Sequence, residues 1–163
     1  MKKTGLIIIF ICALITSNNI SFAVSYETAL AIESIKQNQP LAYGWKTGAS
    51  SYLTAIRATN EIIKLTELQR HIPGMERELI EALINKGECC TYFGEHAEAI
   101  MTYKSLNRIK DNIPIVHYNL GKSYLVIGNK DEAIHEYEIL NRIDPKLAQN
   151  LKETINWYIS TKK

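Results

Sequence analysis

The stretch from Ile80 to Leu147 repeats when it is laid over itself at an offset of 34 residues, and no gap is needed. Asn85 falls on Asn119, Gly87 on Gly121 and Gly94 on Gly128. Glu98-Ala99-Ile100 falls on Glu132-Ala133-Ile134, and Tyr103 on Tyr137. Leu106-Asn107-Arg108-Ile109 falls on Leu140-Asn141-Arg142-Ile143. A fixed period of this length constrains the fold more than any other feature of the chain. One copy alone leaves an apolar face uncovered, so neighbouring copies must stack.

Each copy reads as two helices. The first copy predicts helices over Met75–Phe93 and Glu95–Ile109, and the second over Ile113–Ile127 and from Asn129 to Ile143. Gly94 and Gly128 close the first helix of each pair, because glycine adopts the left-handed conformation at a helix end without a steric penalty. Asn129 and Glu132 form an N-cap and capping-box pair. Asp144-Pro145 opens a last helix, with the acid as cap and proline at the first helical position. That helix carries Ala148, Leu151, Ile155 and Tyr158 on one stripe and polar residues elsewhere, as a terminal cap on a stack requires.

Upstream, Ser25 to Gln37 reads as a helix that ends at Asn38-Gln39-Pro40. Residues 40–48 then read as a loop, since they hold Pro40, Gly44 and Gly48. Tyr43 and Trp45 in that loop are expected to plug the end of the stack; a ligand-contacting loop is the alternative. A longer helix is expected from Ala49 to Gln69, and His71-Ile72-Pro73-Gly74 breaks the chain again. The expected segments are a leader over 1–23, a helical region over 24–79 that is a degenerate copy candidate, copies over 80–113 and 114–147, and a cap over 148–163.

The second copy resembles the tetratricopeptide (TPR) family. Leu120-Gly121, Tyr124, Ala133 and Pro145 sit where that family has L-G, Y, A and P, and Tyr137 stands in for its Phe. His117 replaces its usual Trp. The first copy keeps Gly87, Ala99 and Tyr103, with Lys86, Cys90 and Asp111 in place of Leu, Tyr and Pro. The resemblance implies an all-α, TPR-type α-solenoid of antiparallel helix pairs with a C-terminal capping helix and a concave inner face. It implies that Gly87 with Ala99, and Gly121 with Ala133, thin the contact between the paired helices, while Tyr103 and Tyr137 fill the space between successive pairs. It also implies a partner-binding stripe along the first helix of each pair. In the first copy this stripe is Glu81, Ile84, Glu88, Thr91 and Tyr92; in the second it is Ile115, Tyr118, Lys122, Leu125 and Val126. Asn85 and Asn119 match a position that some family members use to clamp a terminal carboxylate. Ile84 and Tyr118 stand where that clamp needs Lys, and Gln149 and Glu153 where it needs Lys and Arg, so no such clamp is expected.

The N-terminus reads as a secretory signal. Lys2 and Lys3 precede an apolar run from Leu6 to Ile15, and Ser21-Phe22-Ala23 offers small residues for cleavage, giving a mature start at Val24. The run is short against the ~20 residues of a membrane span, and retention as an anchor is the alternative. The whole chain has 19 Lys+Arg and 17 Asp+Glu; losing Lys2 and Lys3 leaves 17 of each and a formal net charge of zero. A neutral mature chain has no electrostatic call on nucleic acid or anionic lipid. Cys89 and Cys90 are adjacent on a helix and diverge by about 100°, so they are expected to be buried thiols without a bond between them. The four histidines, His71, His96, His117 and His135, form no His-x-x-x-His pair. No phosphate loop or nucleophile elbow occurs, and neither metal nor cofactor is expected. The resulting expectation is an exported, periplasmic, non-enzymatic module that binds another protein as an adaptor or assembly factor. The alternatives are a secreted effector acting on a host protein and a small-ligand or enzymatic domain built on the Tyr43–Trp45 loop.

Overall fold

The computed structural model describes residues 20–161, so the expected leader lies mostly outside the described residues; its expected end at Ala23 falls within the first helix. The described chain is all-α. Seven helices follow one another: α1 (Ile20–Tyr43), α2 (Tyr52–Leu68), α3 (Met75–Tyr92), α4 (His96–Asn107), α5 (Pro114–Val126), α6 (Lys130–Ile143) and α7 (Pro145–Thr161). A short 3-10 turn, Gly44–Thr47, follows α1.

Local chemistry explains most boundaries. Gly94 and Gly128 take φ of 84° and 83° just after α3 and α5, a conformation costly for any other residue. Ser51 caps α2 by accepting from Thr54 N at 3.4 Å. Asn129 Oδ1 accepts from Glu132 N at 3.5 Å, and Asp144 Oδ1 from Leu147 N at 2.9 Å.

The expected stop at Pro40 is overturned: α1 runs on through that proline to Tyr43. Tertiary contacts outweigh the local breaker. Ala42 is fully buried, and its carbonyl, at a helix end where no intrahelical donor exists, accepts from Asn85 Nδ2 at 2.9 Å.

Each helix packs on the next, and α1 also touches α3, α3 touches α5, and α5 touches α7. One core spans α3 to α7, with Leu79, Tyr103, Leu106, Leu120, Leu140 and Leu151 at its centre. Smaller apolar clusters join α1, α2 and α3. Full burial of a leucine contributes about 1.5–3 kcal/mol, so these contacts dominate the stabilisation.

The packing residues divide. Ala99, Tyr103 and Ala133 are fully buried, and Leu120 and Tyr124 nearly so. Gly87 lies beneath the Tyr103 ring of α4, within its own pair. At Gly121 a Cβ would lie 2.6 Å from Leu151 Cδ2, so this glycine thins the contact with α7. Tyr137 is half-buried and packs against the core, whereas Pro145 is exposed. Cys89 and Cys90 are buried and unbridged.

His117 stands where the resemblance calls for Trp, and it is buried in a polar lock. Nδ1 lies 2.7 Å from Glu136 Oε2 in α6, and Nε2 lies 2.7 Å from the Asp111 carbonyl in the α4–α5 connection. A carbonyl only accepts, so Nε2 carries a proton; the carboxylate favours a second one on Nδ1. Burial alone would lower the His117 pKa, but the bonds to Glu136 and Asp111 outweigh it and hold the value above the ordinary one.

Candidate interaction surface

Nine of the ten stripe residues reach the surface, which follows from their spacing on α3 and α5. On α3, Glu81 and Tyr92 are exposed and Ile84, Glu88 and Thr91 half-buried. On α5, Ile115, Tyr118 and Lys122 are half-buried and Val126 is exposed. Leu125 is the correction: it is 2% exposed and belongs to the core. Tyr118, Lys122 and Val126 run at i, i+4, and the residue before Val126 points about 100° away, toward the packed side.

The chain itself covers part of the first-copy half of this surface, around Asn85 and Glu88, and leaves Glu81 and most of Tyr92 exposed. Residues 44–51 connect α1 to α2, and their 3-10 turn lies on the α3 stripe. Trp45 is buried; its Nε1 donates to Asn85 Oδ1 at 3.1 Å, and its ring centroid is 5.3 Å from that of Tyr92. The rings continue from Tyr92 to Phe93 at 5.0 Å and from Phe93 to Tyr52 at 5.4 Å. Lys46 Nζ pairs with Glu88 Oε2 at 2.8 Å and lies 5.3 Å and 5.8 Å from the ring centroids of Trp45 and Tyr43. Trp45 thus packs on the α3 stripe. Beside it remains a cavity of about 210 Å³ lined by Tyr43, Lys46, Glu81, Ile84, Asn85 and Glu88. Burial, and then the carboxylates of Glu81, Glu78 and Glu88, push the Tyr43 hydroxyl up to about 12, so it stays protonated.

The charges of the stripe are unequally matched. Glu88 has Lys46, and Glu81 Oε1 lies 3.4 Å from Arg77 Nε. Lys122 makes no ion pair among the described residues; its Nζ sits 5.3 Å from the Tyr118 ring centroid. Burial and then the Lys122 charge lower the pKa of His96, which favours a neutral imidazole there.

Asn85 and Lys46 matter more to this surface than residue patterns suggested. The available signal was length: residues 44–51 are long enough to fold back over α3, whereas Phe93–Glu95 between α3 and α4 is not. No protein-family model matches the chain, and no curated protein matches it.

Proposed function

We propose that this chain is a TPR-type α-solenoid, exported to the bacterial cell envelope, that acts without catalysis by binding a partner protein on the inner face of α3 and α5. The observation that carries this is the separation of the two residue sets. The stripe other than Leu125 is at the surface, while Gly87, Ala99, Tyr103, Leu120, Gly121, Tyr124 and Ala133 are buried. The contacts of α1 with α3, α3 with α5 and α5 with α7 suit a stacked array in which α1 and α2 serve as a degenerate first pair and α7 as the cap. A surface with aromatic and aliphatic groups and isolated charges of both signs suits a peptide segment or helix of a protein better than a phosphate.

Photo-crosslinking from position 118 in the intact envelope, with identification of the attached protein, tests the proposal. A recurrent single partner is expected. Crosslinks only from the α2, α4 or α6 surface would move the site away from the inner face.

A further inference from the structure

We infer that the second copy takes a partner segment in the way the first copy takes the chain's own turn, with the charge inverted. The segment is an aromatic residue, best tryptophan, followed directly by Asp or Glu, seated on Tyr118, Lys122 and Val126. This rests on the inner-face reading proposed above and adds the chemistry of what is bound.

The first copy displays the mode of binding. Trp45 packs against Tyr92 with the rings tilted by 45° and donates to Asn85, and the next residue, Lys46, pairs with Glu88. Two adjacent residues of one turn therefore satisfy three positions of α3, one apolar, one polar and one charged. An offset of 34 carries Asn85, Glu88 and Tyr92 onto Asn119, Lys122 and Val126.

At two of those three positions the second copy lacks the equivalent contacts; at the third, Val126 is 60% exposed and its counterpart Tyr92 69%, so exposure does not separate the copies there. Lys122 has no carboxylate partner among the described residues. Asn119 turns Nδ2 to Tyr103 Oη at 3.1 Å, and its Oδ1 receives no hydrogen bond among the described residues. Connection length explains the difference. Residues 44–51 are long enough to lie over the next odd-numbered helix, and Phe93–Glu95 cannot do the same over α5. The occupant of the second copy must come from elsewhere.

The side chains select its chemistry. Lys122 stands where Glu88 stands, so the paired charge must be negative. Val126 offers an exposed apolar surface against which an aromatic ring can pack, and an indole N–H can reach an acceptor as Trp45 does. Tyr118 beside Lys122 holds the ammonium in place before a carboxylate arrives.

The probe is the blocked peptide of residues 42–48 carrying Lys46→Glu, with the native-sequence peptide as control, titrated into the intact protein while the Val126 methyl signals are followed by NMR. The Lys46→Glu peptide is expected to move Val126 and to bind about tenfold more tightly than the control at low salt. Lys122→Glu, which recreates the charge that α3 tolerates at its equivalent position, is expected to reverse the preference. No binding, equal affinity for the two peptides, an unmoved Val126, or an unreversed preference overturns the inference. Crosslinking of the native partner from position 118 is judged separately. If it persists when the peptides fail, the charge-inverted motif is lost and the inner-face function stands.

Discussion

The Tyr103 ring occupies the volume that any side chain at Gly87 would need: a Cβ there would overlap Cε1 and Cζ. The ring is fully buried, and its hydroxyl is held by Asn119 Nδ2 at 3.1 Å, so it has nowhere to move. Gly87→Ala removes a helical glycine, which alone would stabilise by up to about 1 kcal/mol. The overlap costs about 1–3 kcal/mol and should win. A lower denaturation midpoint is expected, with unchanged stability showing that the ring lies elsewhere. Ala133→Leu tests the same mechanism on α6: Ala133 is fully buried, and overpacking there should also cost about 1–3 kcal/mol.

His117 makes stability depend on pH. Its folded pKa is raised, so the proton it holds favours the folded state. That contribution is fully present below the unfolded value of about 6.5 and fades as pH rises through the higher folded value. Melting temperature should therefore fall across this interval in the wild type, and the slope should flatten in His117→Gln. His117→Leu leaves the Glu136 carboxylate buried without its partner and should cost about 3–5 kcal/mol; adding Glu136→Leu should recover part of this loss. A double variant as damaged as the single one would rule out an energetic link between the two residues.

Trp45 and Lys46 are adjacent and should differ sharply. Trp45→Ala empties a buried site against Ala55, Cys89 and Tyr92 and takes a donor from Asn85, at a cost of about 3–5 kcal/mol. Lys46→Ala breaks a partly exposed ion pair and should cost less than about 1 kcal/mol. Equal losses from both would mean that the turn is held by charge and not by the indole.

Export predicts a processed N-terminus. Sequencing of the protein isolated from the envelope should begin at Val24. A chain that begins at Met1 would have kept its leader and would overturn the cleavage at Ala23.

The helical content and most helix ends were legible because they depend on local chemistry. Gly94, Gly128, Asn129 and Asp144 act within a few residues of themselves, whereas Ser51, the cap of α2, was not read and that helix was expected from Ala49. What was not legible depends on residues far apart in the chain. Continuation of α1 through Pro40 needs Asn85 at the Ala42 carbonyl, 43 positions on. The landing of Trp45 on Asn85 spans 40 positions, and no periodicity reports it. The closeness of Gly121 to Leu151 of α7 likewise joins residues 30 positions apart. Leu125 was misplaced for a simpler reason: a stripe carried over from a resemblance tolerates a phase error of one residue, and one residue turns a helical side chain by about 100°.

Tyr118 should anchor the partner. It is half-buried, its ring centroid lies 5.3 Å from Lys122 Nζ, and it shares the α5 surface with Ile115 and Val126. Aromatic residues in such positions carry a large share of interface energy, because they bury much area at low cost in side-chain freedom. Tyr118→Ala should weaken partner binding by about 2 kcal/mol or more. Lys122→Ala at the same site should act mainly on association rate and its salt dependence, since the ammonium stays solvated. Affinity has to be read beside a melting curve, because Tyr118 also packs against the core. A Tyr118→Ala protein that melts like wild type and binds its partner equally well would exclude α5 as the anchor and leave the exposed Tyr92–Phe93 end of α3 as the surface to probe.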